Sequence, residues 1–173
     1  FIRLTDGIKE QLTSRLEVPA VRALVGGAVV MALTLLVGNR DYNGLSLPLL
    51  GRAFGLVDIG LGVWALKLLF TAVTVGSGYA GGEVTPLFVI GATLGAAVAH
   101  ATGGPVLVLA AVGMMATFGS AVNASTACVV MGIELFGWGP VVPLIDGCGI
   151  ARLCSSGRTL YAHETVPVEA ELL

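Results

Sequence analysis

Between Ile2 and Glu17 the apolar positions Leu4, Ile8, Leu12 and Leu16 recur every fourth residue among Arg3, Asp6, Lys9, Glu10, Arg15 and Glu17. That spacing collects the apolar side chains on one stripe and predicts an amphipathic helix lying at a membrane surface. Pro19 and Arg22 introduce an apolar stretch from Ala23 to Gly38. If the helix starts at Pro19 it approaches the about 20 residues of a membrane crossing, and it is taken as the first spanning helix. Asn39 to Gly44 is a polar turn, and Leu45 to Gly55, with Pro48 near its start and Arg52 inside, is a short helix that does not cross. Ile59 to Val75 is apolar except for Lys67, which either snorkels from one end or pairs inside the protein, a structural role being favoured.

The Gly-rich segment Gly76 to Pro86 then interrupts hydrophobic sequence, and Leu87 to Ala101 resumes a helical run. Non-helical backbone at membrane depth is tolerated only where it lines a cavity or is buried in protein, so this break is the most informative feature of the chain. Gly103-Gly104-Pro105 precedes two further short helices, Val106 to Val122 and Ser125 to Gly137, with Asn123 between them. Gly139-Pro140 opens a last segment reaching about Leu153, and Ser155 to Arg158 ends the membrane part. The expected division is a surface helix over residues 1–17, membrane helices over 18–161 and a polar tail over 162–173, without an internal repeat.

Composition sharpens this picture. Hydrophobic residues make up 55% of the 173 positions and charged residues only 12%, against about 25% charged in soluble domains. Asp, Glu, Lys and Arg are absent from Val84 to Ile133. The 25 glycines are scattered through apolar sequence, which indicates close helix packing rather than a linker or a disordered segment. A formal charge of -2 without a basic cluster excludes nucleic acid as a partner. Cys128, Cys148 and Cys154 are read as small buried residues, with neither a disulfide framework nor a metal site, and His100 and His163 as loop-facing histidines, so no metal or cofactor is expected. The chain opens at Phe1 without a Met or a cleavage pattern, and upstream sequence is expected to be missing.

Chemistry concentrates at the break. Pro86 suits the first turn of a helix, so Glu83, Val84 and Thr85 would present unpaired backbone N–H groups at the positive end of the helix dipole, which is an anion site. Discontinuous helices of this kind hold ions in many transporters. Glu83 has two open readings. In apolar surroundings beside an anion its charged form is disfavoured, which suits a proton-coupling or gating carboxylate; alternatively it only caps the helix.

Gly76-Ser77-Gly78-x-x-Gly81-Gly82-x-x-x-Pro86 resembles the second-half motif of the CLC-type chloride channel and antiporter family, and Gly81 to Phe88 resembles its fluoride/proton antiporter form. Gly91 to Gly95, Asn123 and Met131 to Gly137 resemble the helices that follow in that family, so the similarity covers most of Pro19 to Tyr161. The resemblance implies an all-α integral membrane bundle of short, tilted and broken helices, forming one half of an inverted-repeat fold in a bacterial plasma membrane. It implies anion contacts at Glu83, Val84 and Tyr161, where a phenol O–H supplies a donor without a buried cation; a tyrosine of the membrane-interface belt is the alternative for Tyr161. Thr85, Phe88, Asn123 and Glu134 are secondary candidates; core packing is the alternative for Thr85 and Phe88, and a helix-end position for Glu134.

The implied activity is fluoride export coupled to protons, chloride transport being the nearest alternative; the implied partners are fluoride or chloride, protons, lipid, an N-terminal half and, in the intact protein, a second subunit. The chain departs from the family at Asn123-Ala124-Ser125-Thr126 and at Ser156-Gly157-Arg158, and it lacks the family's first-half motifs, including the loop with the gating glutamate. An intramembrane hydrolase would need an activated Ser77 facing a His, but His100 lies beyond the following helix. A non-transporting membrane fragment that only packs against a partner is the third class.

Overall fold

The computed structural model describes residues 1–55, 59–79 and 81–155. They form eight helices: α1 (Ile2–Arg15), α2 (Pro19–Val37), α3 (Leu47–Phe54), α4 (Val63–Gly76), α5 (Val84–Thr102), α6 (Val106–Ala121), α7 (Ser125–Phe136) and α8 (Val141–Cys154). Helix boundaries follow the punctuation of the sequence. Pro19 and Pro48 sit in the first turns of α2 and α3, where a missing N–H costs nothing, and Gly38 and Gly103 close α2 and α5 at φ of 70° and 71°, a left-handed conformation that glycine adopts without strain. Among the described residues, only α2 and α5, at 19 residues each, have the length and apolarity to cross a membrane. The other apolar helices are shorter, as the frequent Gly and Pro breaks lead one to expect.

The core is built from small side chains. α5 and α6 form the most extensive helix pair, and they approach backbone to backbone at Gly91, Gly95 and Gly113. A Cβ on Gly91 would sit 2.8 Å from Thr117 Oγ1 and 2.9 Å from the Gly113 carbonyl carbon, distances that only glycine avoids. Ala92, Ala96, Ala110, Met115, Cys128, Leu144 and Cys148 complete a core joining α5, α6, α7 and α8. A second cluster, Tyr42, Leu49, Phe70 and Val89, ties α3, α4 and α5 together, with Tyr42 stacked on Phe70 at 5.6 Å.

Four hydroxyls in and at the end of α4 and in α5 are satisfied by their own backbone: Thr71, Thr74, Ser77 and Thr93 each donate to the carbonyl four residues earlier, whereas the buried Ser125 Oγ at the start of α7 has no partner among the described residues. α1 packs on the end of α4, where Gly76 leaves room for Ile8 and for the Thr5 carbonyl. α2, by contrast, has Gly26 as its one buried residue and exposes Leu24, Leu35 and Leu36. Cys128 and Cys148 are buried as expected, but Cys154 is exposed. It occupies the last turn of α8, at the margin of the bundle, so the reading of three buried cysteines is corrected for this one.

Candidate functional site at the start of a broken helix

α4 and α5 are joined by the Gly-rich segment and pack against each other. Gly78, at φ 89°, makes the turn that ends α4, a conformation available to glycine. Ser77, at 2% exposure, is packed against Gly26 of α2 and donates its hydroxyl proton to Val73 O at 2.6 Å. It is a packing residue, and the hydrolase reading has no nucleophile there. Tyr79, which the sequence pattern did not single out, donates its O–H to Ala23 O at 2.8 Å and so pins the break to α2.

α5 then begins with Glu83 as its N-cap residue, followed by Val84, Thr85 and Pro86. Leu87 N–H is the first to bond back, to Glu83 O at 3.2 Å. Pro86 has no N–H, which leaves those of Glu83, Val84 and Thr85 without a backbone acceptor among the described residues. These are donors at the positive end of a 19-residue helix dipole. Gly81 and Gly82 are exposed, and a Cβ on either would meet nothing within 4 Å, so the backbone before the helix is open to an approaching group.

The Glu83 side chain is half-buried and makes no capping hydrogen bond, so the carboxylate is not spent on its own helix. Thr85 is half-buried beside it. Phe88, one turn on, meets Phe118 edge to face at 4.8 Å and is a packing residue on α6. Asn123 lies apart, in the α6–α7 turn: it holds a left-handed φ of 57°, and its Oδ1 accepts from Arg152 Nη1 at 3.0 Å. Glu134 is exposed on α7. The structure therefore gathers Glu83, Val84 and Thr85, with Phe88 behind them, and leaves Asn123 and Glu134 elsewhere. Tyr161 lies outside the described residues, as does His163.

Lys67 is resolved in favour of the buried alternative. At 1% exposure it donates from Nζ to Tyr42 O at 3.1 Å and to Gly44 O at 2.6 Å. Its acceptors are backbone carbonyls of the polar turn, which it fastens to α4.

Short apolar helices packed through small residues, with a Gly-rich break inside hydrophobic sequence, define an all-helical integral membrane protein. The family model described as voltage gated chloride channel matches residues 1–156, and the chain belongs to that family. It is 37% identical over 149 residues to a chloride/fluoride channel protein of Pseudomonas syringae pv. tomato, a match covering 83% of this chain and 32% of that protein. An uncharacterized protein of Methanocaldococcus jannaschii is 30% identical over 154 residues, covering 86% of this chain and 38% of the relative. The chain thus spans roughly a third of the length of these relatives. Its fold matches the crystal structure of a CLC-type fluoride/proton antiporter with a TM-score of 0.87 and 33% identity, over 92% of this chain and 40% of the solved one.

Proposed function

We propose that this chain is part of an anion transporter, not an enzyme, and that it exports fluoride in exchange for protons. The observation that carries this reading is the start of α5, where three backbone donors lack acceptors among the described residues and two exposed glycines leave the approach open. Peptide dipoles attract an anion there without burying a countercharge, so the ion binds and also leaves. Glu83 and Val84 supply backbone contacts and Tyr161 a hydroxyl. The Glu83 carboxylate, uncommitted to capping, carries the proton.

Fluoride is supported by the form of the Glu83-Val84-Thr85-Pro86 segment and by the fluoride/proton antiporter among the similar structures. A chloride channel or chloride/proton antiporter is the second reading, favoured by the chloride/fluoride channel description of the Pseudomonas relative. In either case the pathway is completed by a first half carrying a gating glutamate, in a homodimer in the plasma membrane; a fragment that packs without transporting is the remaining alternative. The test is efflux from proteoliposomes containing the protein in its full natural length, followed with fluoride and pH electrodes together. Fluoride efflux with proton uptake is expected, and chloride efflux without proton movement would select the channel reading. Efflux no faster than from empty vesicles would refute both.

A further inference from the structure

A cavity of about 320 Å³ lies between the middle of α2 at Val30, the 42–45 turn, α4 and the start of α5, and its wall includes Gly81, Gly82 and Pro86 as well as Lys67. Among the residues that line it, Lys67 is the one with a full charge; Asp and Glu are not represented. Asp41, beside the turn, is held by Arg52 Nη1 at 2.9 Å. The ammonium is thus buried with two neutral carbonyls for partners, and one of its three protons has no acceptor among the described residues. A buried charge compensated only by dipoles is costly, and a counter-ion that enters the cavity relieves that cost.

We infer that this cavity is a second anion station, holding a halide against Lys67, in series with the start of α5. The inference rests on the anion-transport reading for its biological sense but not for its physics. The other hydroxyls on the wall are already committed: Thr71 donates to Lys67 O, Thr74 to Phe70 O and Tyr79 to Ala23 O. The side-chain donors left for an anion are the third Lys67 N–H and the Asn43 amide, whose Oδ1 accepts from Thr34 Oγ1, and the backbone N–H groups of Gly81 and Gly82 on the wall also lack an acceptor among the described residues.

Lys67 lies on α4 nine residues before its end at Gly76, roughly 14 Å of rise, whereas Gly81, Gly82 and Pro86 bring the same cavity to the start of α5. A water occupies about 30 Å³ of liquid, so the cavity has room for a halide that keeps part of its hydration shell.

Titration calorimetry of sodium fluoride into the full-length protein in detergent tests the station, with Lys67→Met removing the charge, Lys67→Arg keeping it, and Asn43→Asp adding a negative charge to the wall without touching Lys67. The expected result is a binding event weakened at least tenfold, about 1.4 kcal/mol, by Lys67→Met and by Asn43→Asp, and kept by Lys67→Arg. If Lys67→Met fails to fold, Asn43→Asp decides. Fluoride binding equal in wild type and Asn43→Asp, or absent from the wild type, overturns the inference. Efflux measured in parallel separates the two claims: Lys67-dependent binding without efflux sinks the transport reading alone, and efflux with binding insensitive to both variants sinks the station alone.

Discussion

Gly95→Ala should loosen the contact on which α5, and with it the anion site, depends. A methyl on Gly95 would sit 2.7 Å from the Leu109 carbonyl carbon and 2.9 Å from Ala110 Cα. Both are backbone atoms, so no rotamer change relieves the clash. Carbon contacts are comfortable at about 3.5–4.0 Å, so α5 and α6 must separate by about 1 Å. Separation also opens the packing around Ala92, Ala96 and Ala110, which are fully buried.

Overpacking of this kind costs about 1–3 kcal/mol, and where backbone meets backbone the upper part of that range applies. The intrinsic gain of Gly→Ala in a helix, about 0.5–1 kcal/mol, offsets part of it. The net loss of about 1–2 kcal/mol corresponds to a fall of roughly 2–8 °C in the melting temperature for a chain of this size. Gly149→Ala is the matched control, because Gly149 lies in α8 with nothing within 4 Å of a Cβ. It should be neutral or slightly stabilising. Melting curves of the detergent-solubilised protein, read by tryptophan fluorescence, provide the comparison. Equal melting of Gly95→Ala and wild type would refute the close backbone approach of α5 and α6.

Tyr79→Phe removes the bond to Ala23 O and should cost about 0.5–1.5 kcal/mol; an unchanged melting temperature would show that the break is not pinned to α2. Glu83→Gln should abolish proton movement while leaving anion binding, read as anion efflux with a flat pH trace; retained proton exchange would remove Glu83 from that role. Tyr161→Phe should slow anion efflux at least tenfold if the phenol donates to the ion, whereas Glu134→Gln, on an exposed position of α7, should leave it within twofold. An effect in the reverse order would exchange the standing of these two residues.

The helix plan was legible because Gly and Pro punctuate it: α2 begins at Pro19 as expected, α6 at Val106 and α7 at Ser125. C-terminal ends shifted by only one or two residues, as at Arg15 in place of Glu17, while α4 starts at Val63 in place of Ile59 and α5 at Val84 in place of Leu87. The break from Gly76 to Pro86 was legible for the same reason, since its glycines interrupt an otherwise continuous apolar run. Contacts between distant segments were not. The acceptors of Lys67 lie 23 and 25 residues upstream in the polar turn, and no local pattern indicates that a buried lysine will choose carbonyls over a carboxylate. Tyr79 looked like a loop residue, and its partner on α2 is 56 positions away. The exposure of Cys154 follows from which helices cover the end of α8, a fact of assembly rather than of spacing.

Four helices, α4, α5, α6 and α8, begin with valine at Val63, Val84, Val106 and Val141, and this provides a direct test of the anion site with internal controls. The N–H groups of Val63 and Val141 are already bonded, to Gly60 O at 3.0 Å and Trp138 O at 3.3 Å. The most direct measurement is a fluoride titration of the full-length protein labelled with nitrogen-15 at valine, followed by amide NMR. The site at the start of α5 predicts a saturable shift at Val84, with the concentration dependence of efflux, while Val63, Val106 and Val141 stay still. A silent Val84, or four valines drifting together, would contradict it.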